Sequence, residues 1–323
     1  MGGRSRRWCS TGGIGGTAAA EAPGTAADLA VVVITRNRSR ELCRTLTKLT
    51  GPQTSPAPRP IVVVDNGSTD DSVRQVRARF PQVEVVPLGS NFGAAGRNIG
   101  VGRVATPFVA FCDDDTWWSP GSLERAVEVM RRHPRLAVVT ARIVVEPEGR
   151  TDPVSEEMAA SPIHRTQSPG RGLVSFLAGA SVVRRRAFEG VGGFAGRLLI
   201  GGEEELLGAD LLDAGWDMAY LDGLEIHHAA SVQRDAHLRR RQGIRNTLWF
   251  TWSRRPIGDA WRRTAGLLRQ LPPDAQSARA VGEALAGWPW VLGQRRGLRP
   301  EVAAELSLLD GDLPNSRARR YVS

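Results

Sequence analysis

Lysine is nearly missing from this chain: of the 43 basic residues only Lys48 is a lysine, and the rest are arginines. The formal charge is +9, so the expected partner is anionic, and nucleic acid, phosphorylated ligands and acidic membrane surfaces all qualify. No apolar run reaches the roughly 18 residues of a bilayer-spanning helix, and the N-terminus lacks the apolar stretch of a signal peptide. A cytoplasmic location is the resulting expectation. Cys9, Cys43 and Cys112 are odd in number and scattered, which argues against a disulfide framework or a thiolate zinc site and fits a reducing compartment. Neither the dinucleotide fingerprint G-x-G-x-x-G after a strand nor the phosphate loop G-x-x-x-x-G-K-[ST] occurs. Outside the last third there is no interleaving of basic and aromatic residues, so nucleic acid rests on charge alone and is not an expected partner.

What the chain does have is 41% apolar residues, enough for a folded core. Residues 1–27 are rich in Gly, Ala, Ser and Thr without periodicity and read as a disordered tail. Four β-branched runs of strand length follow, at Leu29–Ile34, Ile61–Val64, Val83–Val86 and Phe108–Cys112. Helical patterns lie between them at Ser39–Leu49, Ser72–Phe80 and Ala94–Val104. This alternation predicts an α/β fold with a mainly parallel, doubly wound sheet, whose ligands bind beyond the carboxyl ends of the strands. Gly51–Pro60 reads as a Pro-rich loop, and Glu146–Gly170 as a second, longer one with the character of a lid. Helical pattern returns at Glu203–Ala214 and Leu238–Trp252, with a strand at Met218–Ile226 between them.

The strand ends carry polar residues that a core does not need. Asp65 opens the turn Asp65-Asn66-Gly67-Ser68-Thr69-Asp70-Asp71, where it is either part of a plain turn or an acceptor for a nucleobase N–H. Ser68 and Asp71 have capping-box spacing for the next helix. Asn91-Phe-Gly-Ala-Ala-Gly-Arg97-Asn98 puts glycines and an arginine at a helix start, where free N–H groups favour phosphate and Arg97 can clamp a diphosphate. Asp113-Asp114-Asp115 ends an apolar strand. Residues two apart in extended chain face one side, so Asp113 and Asp115 are expected to share one hard cation, Mg²⁺ or Mn²⁺. Glu203-Glu204-Glu205 opens a helix, where glutamates are favoured by the dipole and one of them can serve as a general base. Of His227 and His228, neighbours on a strand, at most one can point at this site, and an imidazole there leans the metal towards Mn²⁺.

Taken together, Val31-Val-Val-Ile-Thr35-Arg36-Asn37-Arg38, Val62-Val-Val-Asp65-Asn-Gly-Ser-Thr-Asp70, Asn91-x-Gly93-x-x-Gly96-Arg97-Asn98-x-Gly100 and Asp113-Asp-Asp115 resemble family 2 glycosyltransferases of the GT-A fold. The resemblance runs from about Leu29 to about Arg255, and it implies a GT-A domain over 28–232 with a basic helical extension over 233–323. It implies nucleoside contacts at Thr35 and Asp65, diphosphate contact at Arg97, nucleotide contact at Asp113 and Asp114, and metal and donor diphosphate on Asp113 and Asp115. Glu203-Glu204, Leu207, Gly215-Trp216 and His228 follow the later motif of the family, which gives Glu204 the place of the catalytic base. In galactofuranosyl- and rhamnosyl-transferase-like members a histidine after this strand joins the metal, and the match falls on His228. Arg241-Gln-Gly-Ile-Arg245-Asn246 also looks like those members.

The function so implied is an inverting transfer of a sugar from a nucleoside-diphosphate donor, UDP or dTDP, to a hydroxyl of a glycan, glycolipid or small molecule. A sugar nucleotidyltransferase is an alternative, but its early Gly- and Lys-rich loop is absent; a non-catalytic sugar-nucleotide-binding protein is another. Arg234, Arg239, Arg240, Arg241, Arg245, Arg254 and Arg255 crowd one stretch with Trp249, Phe250 and Trp252. That mixture reads as a cationic helix holding an anionic or lipid-linked acceptor, or an acidic membrane surface, near the active site. The alternative is that the aromatics pack on the domain while the arginines face solvent.

Overall fold

The computed structural model describes residues 28–51, 59–165, 167–229 and 236–310. The tail over 1–27, most of the Pro-rich loop and Arg234 lie outside them. Ten strands form one sheet among the described residues: β1 (Leu29–Thr35), β2 (Ile61–Asp65), β3 (Glu84–Pro87), β4 (Phe108–Asp113), β5 (Thr116–Trp118), β6 (Leu136–Val145), β7 (Arg150–Thr151), β8 (Arg171–Gly172), β9 (Ser181–Arg184) and β10 (Asp217–His228). The order is β3-β2-β1-β4-β9-β6-β10-β5, with β7 on β6 and β8 on β10. Strands β3, β2, β1 and β4 are parallel, β9 is inserted antiparallel between β4 and β6, and β6 and β10 are again parallel. The sheet is thus mostly parallel, as the alternating pattern predicts.

Helices α1 (Ser39–Thr50), α2 (Ser72–Arg79), α3 (Gly96–Val101), α4 (Ser122–Arg132), α5 (Pro153–Ala159), α6 (Arg185–Gly190) and α7 (Glu203–Asp213) connect the strands, and α8 (Ala236–Arg254), α9 (Ile257–Gln270), α10 (Ala275–Ala286), α11 (Trp288–Gly293) and α12 (Pro300–Asp310) follow. Because both faces of the sheet are covered, its central strands are apolar at every position rather than at alternate ones. Val31, Val33, Ile61 and Val63 pack with Leu42 and Leu46 of α1 and Met130 of α4. Val32, Val62, Val64 and Phe111 face the other way, into a core shared with Leu207 and Leu211 of α7, Leu248 and Phe250 of α8, and Val302 and Leu306 of α12. The C-terminal helices therefore pack into the same core as the sheet.

Three expectations need correction. The segment 146–170 is not a structureless lid: it holds β7 and α5, and it buries Ser155, Met158 and Ile163. The helix expected to run to Val104 stops at Val101, where Gly102 closes it. Ser68 and Asp71 form no capping box; the first turn of α2 is held instead by Asp70, whose carboxylate accepts from Ser72 N at 3.0 Å and Ser72 Oγ at 2.6 Å.

Candidate active site

Register brings the polar strand ends together. Thr35 lies opposite Asp65, and Ile34 opposite Asp113, at the carboxyl edge of β1, β2 and β4. The loops after β1 and β2 are laced: Asn37, in the left-handed region at φ 54°, accepts from Thr69 N at 2.7 Å and donates its own N–H to Ser68 Oγ at 2.8 Å. Asp65 is buried, and its carboxylate takes the backbone N–H of Ser68 at 3.0 Å and the Ser68 hydroxyl. That much is a plain Asp-Asn-Gly turn, although each carboxylate oxygen keeps a lone pair for a further donor.

The acidic triplet is arranged differently from its expected alternation. Strand β4 ends at Asp113, and Asp114 and Asp115 form the tight turn into β5, so the two-residue period of extended chain does not carry through. Asp113 stays half exposed and pairs with Arg97, with the backbone of Gly179 pressed against its carboxylate. Asp114 points inward: it accepts from Thr35 Oγ1 at 2.9 Å and Arg38 Nη1 at 2.8 Å. Burial pushes its carboxyl up to about 7, and the Arg38 charge opposes that rise without cancelling it. Asp115 is buried, accepts from the same Arg38 Nη1 at 2.9 Å, and lies 3.7 Å from His228 Nε2.

His227 turns to the other side, where Nδ1 meets Glu146 at 2.7 Å, Nε2 meets Ser119 Oγ at 2.8 Å, and the ring stacks on Trp117. Asp113, Asp115 and His228 accordingly do not form the expected three-ligand set. Among the described residues no three His, Cys, Asp or Glu side chains converge as a ready-made metal cage. Asp115 and His228 lie side by side at this edge of the sheet, 3.7 Å apart.

Arg97 is no surface arginine. It is 4% exposed and sits above the rings of Phe111 and Phe194, each 5.8 Å away. The glycines around it serve close packing rather than an open phosphate cradle. A Cβ on Gly93 would lie 2.1 Å from Leu199 O, one on Gly100 2.4 Å from Val32 Cγ1, and the Ala94 N–H is already donated to Leu199 O at 2.7 Å. Arg97 instead faces the acidic start of α7, where its charge acts on both Glu203 and Glu204.

The three glutamates have separate surroundings. Glu205 is tied by a buried ion pair to Arg263 of α9 at 2.8 Å. Glu203 is 4% exposed, and burial followed by the charge of Glu204 holds its carboxyl well above the usual range. Glu204 is half-buried and faces the backbone N–H of Ala178 at 3.5 Å; burial raises it too, while Arg97 and backbone N–H groups pull it down. The two neighbouring carboxyls are close enough to share a hydrogen bond.

Two further side chains support this site. Arg38 bridges Asp114 and Asp115, and only its place in the loop after β1 marked it. Asn246 is fully buried on α8 and donates to the carbonyls of Leu198 at 2.9 Å, Ile200 at 3.1 Å and Gly201 at 2.6 Å, which clamps the loop leading into Glu203.

Residues 30–192 match the model for glycosyl transferase family 2. The chain belongs to that family. Among curated family members, it is 28% identical over 243 residues to an N-acetylglucosaminyl-diphospho-decaprenol L-rhamnosyltransferase of Mycobacterium tuberculosis, across 64% of this chain and 78% of that one. Its fold is that of GT-A glycosyltransferases. A mannosyltransferase of Pyrobaculum calidifontis in complex with GDP-Man and Mn²⁺ superposes with TM-score 0.53 at 18% identity, covering 91% and 83% of the two chains. Staphylococcus aureus TarS 1–349 in complex with UDP-GlcNAc superposes with TM-score 0.57 at 17% identity, covering 91% and 88%. This family 2 glycosyltransferase has, among its described residues, no helix long and apolar enough to cross a membrane.

The cationic-helix expectation does not survive the structure. Arg240 bonds Asp274 and Ser277 at 2.8 and 2.6 Å, Arg241 pairs with Glu283, Arg254 makes a buried fork with Asp210 at 2.6 and 3.0 Å, and Arg255 reaches Asp310 at 3.0 Å. Trp249 and Phe250 are buried. The aromatics of α8 pack inward, and these arginines join helices to one another rather than facing water or a bilayer.

Proposed function

We propose that this glycosyltransferase moves a sugar from a nucleoside diphosphate, UDP or dTDP, to an acceptor hydroxyl by a single inverting displacement. The observation that carries the reading is the convergence of Arg97, Asp113, Glu203 and Glu204 beside the Asp115–His228 pair at the carboxyl edge of the sheet. Asp65 accepts from the base, and one aspartate accepting from N3–H suits uracil or thymine. Thr35 acts through Asp114, fixing the turn that presents Asp115.

Asp115 and His228 are the residues to hold Mn²⁺ or Mg²⁺, with Asp113 facing the diphosphate from the Arg97 side. When bound, the cation supplies charge stabilisation for the departing diphosphate. Arg97, paired with Asp113 and buried over aromatic rings, keeps a fixed positive charge beside that leaving group. Of the glutamates, Glu205 is occupied by Arg263, and Glu203 is the more buried of the other two, its carboxyl raised by burial and by the neighbouring Glu204. Glu204 is left to take the acceptor proton as the new C–O bond forms and the old anomeric C–O bond breaks. The rhamnosyltransferase relative acts, by its name, on a diphospho-decaprenol acceptor, and a lipid-linked hydroxyl is the acceptor class proposed here. Incubation with UDP- and dTDP-sugars and a polyprenyl-diphosphate sugar, with Mn²⁺ or with a chelator, tests the reading. Metal-dependent release of nucleoside diphosphate with a product of inverted anomeric configuration is expected; retained configuration, or turnover indifferent to chelation, overturns it.

A further inference from the structure

Helix α9 carries an apolar stripe on its outer side. Ile257, Trp261 and Leu268 share one face by helical spacing and are 61%, 63% and 47% exposed. Trp261 meets Trp252 edge-on at 4.9 Å, and Trp252 meets Trp288 at 5.1 Å, so the outer face of α11 adjoins the stripe. One turn beyond Trp288, Leu292 is 55% exposed. A second row, Arg262 and Arg269, runs beside the stripe seven residues apart. Arg262 has its side chain 77% exposed and pairs with Asp259; Arg269 is exposed and makes no ion pair among the described residues.

The inner face of the same helix is anchored. Arg263 donates to Glu205 at 2.8 Å and lies over the ring of Phe250 at 5.4 Å. Glu205 is the next residue after Glu204. Single exposed leucines are ordinary, but a contiguous stripe of large apolar side chains is not. An apolar face with tryptophan at its edge and arginines alongside is the composition of a helix that lies in the headgroup plane of an anionic bilayer. The charge of +9 favours the same occupant.

We propose that the α9–α11 face docks on an acidic membrane surface, with Ile257, Trp261, Leu268 and Leu292 at the acyl boundary and Arg262 and Arg269 on lipid phosphates. The membrane contact is thereby assigned to a surface other than the arginine-rich α8. Through Arg263 and Glu205 the docked helix would hold the first turn of α7 about one helix diameter, roughly 10 Å, from the headgroups. That places the site for an acceptor tethered to lipid, a consequence that rests on the glycosyltransferase reading, whereas the docking itself does not.

Co-sedimentation of the full chain with vesicles of phosphatidylglycerol and phosphatidylcholine, or of phosphatidylcholine alone, tests it at low salt. Wild type should bind the acidic vesicles and stay in solution with the neutral ones. I257E with L268E should weaken binding at least about tenfold, and R262E with R269E at least about fivefold per arginine. Melting temperature and donor binding should stay as in wild type, since both are read without lipid. A wild-type chain that ignores acidic vesicles overturns the proposal, as does I257E/L268E binding as tightly as wild type. So does a wild-type dimer that I257E/L268E converts to monomer, because the face would then meet a second copy. If I257E/L268E fails to fold, unchanged binding by R262E/R269E overturns it alone. Nucleotide-sugar binding is measured separately, so either reading can fail without the other.

Discussion

Removing Arg38 tests how the acidic turn is held together. In Arg38→Met the chain keeps its length but loses two charge-assisted bonds, to Asp114 at 2.8 Å and Asp115 at 2.9 Å. Each such bond contributes roughly 1.5–3 kcal/mol. Arg38 keeps 20% of its side chain in water, which discounts each bond to about 1–2 kcal/mol, so the pair should be worth about 2–4 kcal/mol. Near 2.1 cal/mol/K per residue, a chain of this length loses about 1.5 °C of Tm per kcal/mol, hence about 3–6 °C. The loss should depend on pH, with a sign set by Asp114. Its carboxyl is raised to about 7, so from the ordinary aspartate range upwards the unfolded chain releases a proton that the fold retains, and this group costs stability increasingly as pH rises. Arg38 offsets that cost once Asp114 ionises. Its removal should therefore be felt fully at pH 8.5, while at pH 5.5 only the Asp115 bond is lost, about half the effect. Melting of both proteins at the two pH values is the assay. An equal or larger Tm loss at pH 5.5 would refute the placement of Asp114.

Glu204→Gln keeps size and hydrogen bonding but cannot accept a proton, so turnover should fall about 10²-fold or more with donor affinity nearly unchanged. Near-normal turnover would move the role to Glu203. Because burial raises the Glu204 carboxyl, the acid limb of wild-type kcat/KM should lie above the usual glutamate range, and an acid limb at ordinary carboxylate pH would contradict the role given to Glu204. His228→Ala should weaken Mn²⁺ binding in calorimetry more than His227→Ala, whose ring is turned to Glu146 and Ser119; the reverse order would misplace the metal. Gly179→Ala puts a Cβ 2.6 Å from Asp113 Oδ2, so it should lower donor affinity measurably while leaving Tm within a few degrees. Unchanged affinity would show that Asp113 does not touch the donor.

The parallel half of the sheet was legible because β1, β2 and β4 are buried on both faces and so read as unbroken β-branched runs. Strands β6 and β9 were not, although β10 was read at Met218–Ile226. Strand β9 is four residues running straight into the basic start of α6, and the apolar run of β6 is interrupted by Thr140 and Arg142. At the site, residue types were legible but directions were not. Whether Asp114 and Asp115 continue a strand or turn is decided by Arg38 and Thr35, about 80 positions away in the chain. The arginines of α8 misled for the same reason. Their acids sit at separations of 34, 44 and 55 residues on other helices, and a local charge count cannot tell a paired buried arginine from a solvated one.

Calorimetry of donor binding tests the central claim most directly: UDP- and dTDP-sugars are titrated into wild type and Asp115→Ala, each with Mn²⁺ and with chelator. If Asp115 and His228 hold a cation against the donor diphosphate, wild type binds one of these donors more tightly with Mn²⁺ than without it, and Asp115→Ala binds equally weakly in both conditions while melting cooperatively. Equal donor affinity in wild type with and without metal, or full metal-dependent binding by Asp115→Ala, would contradict the account.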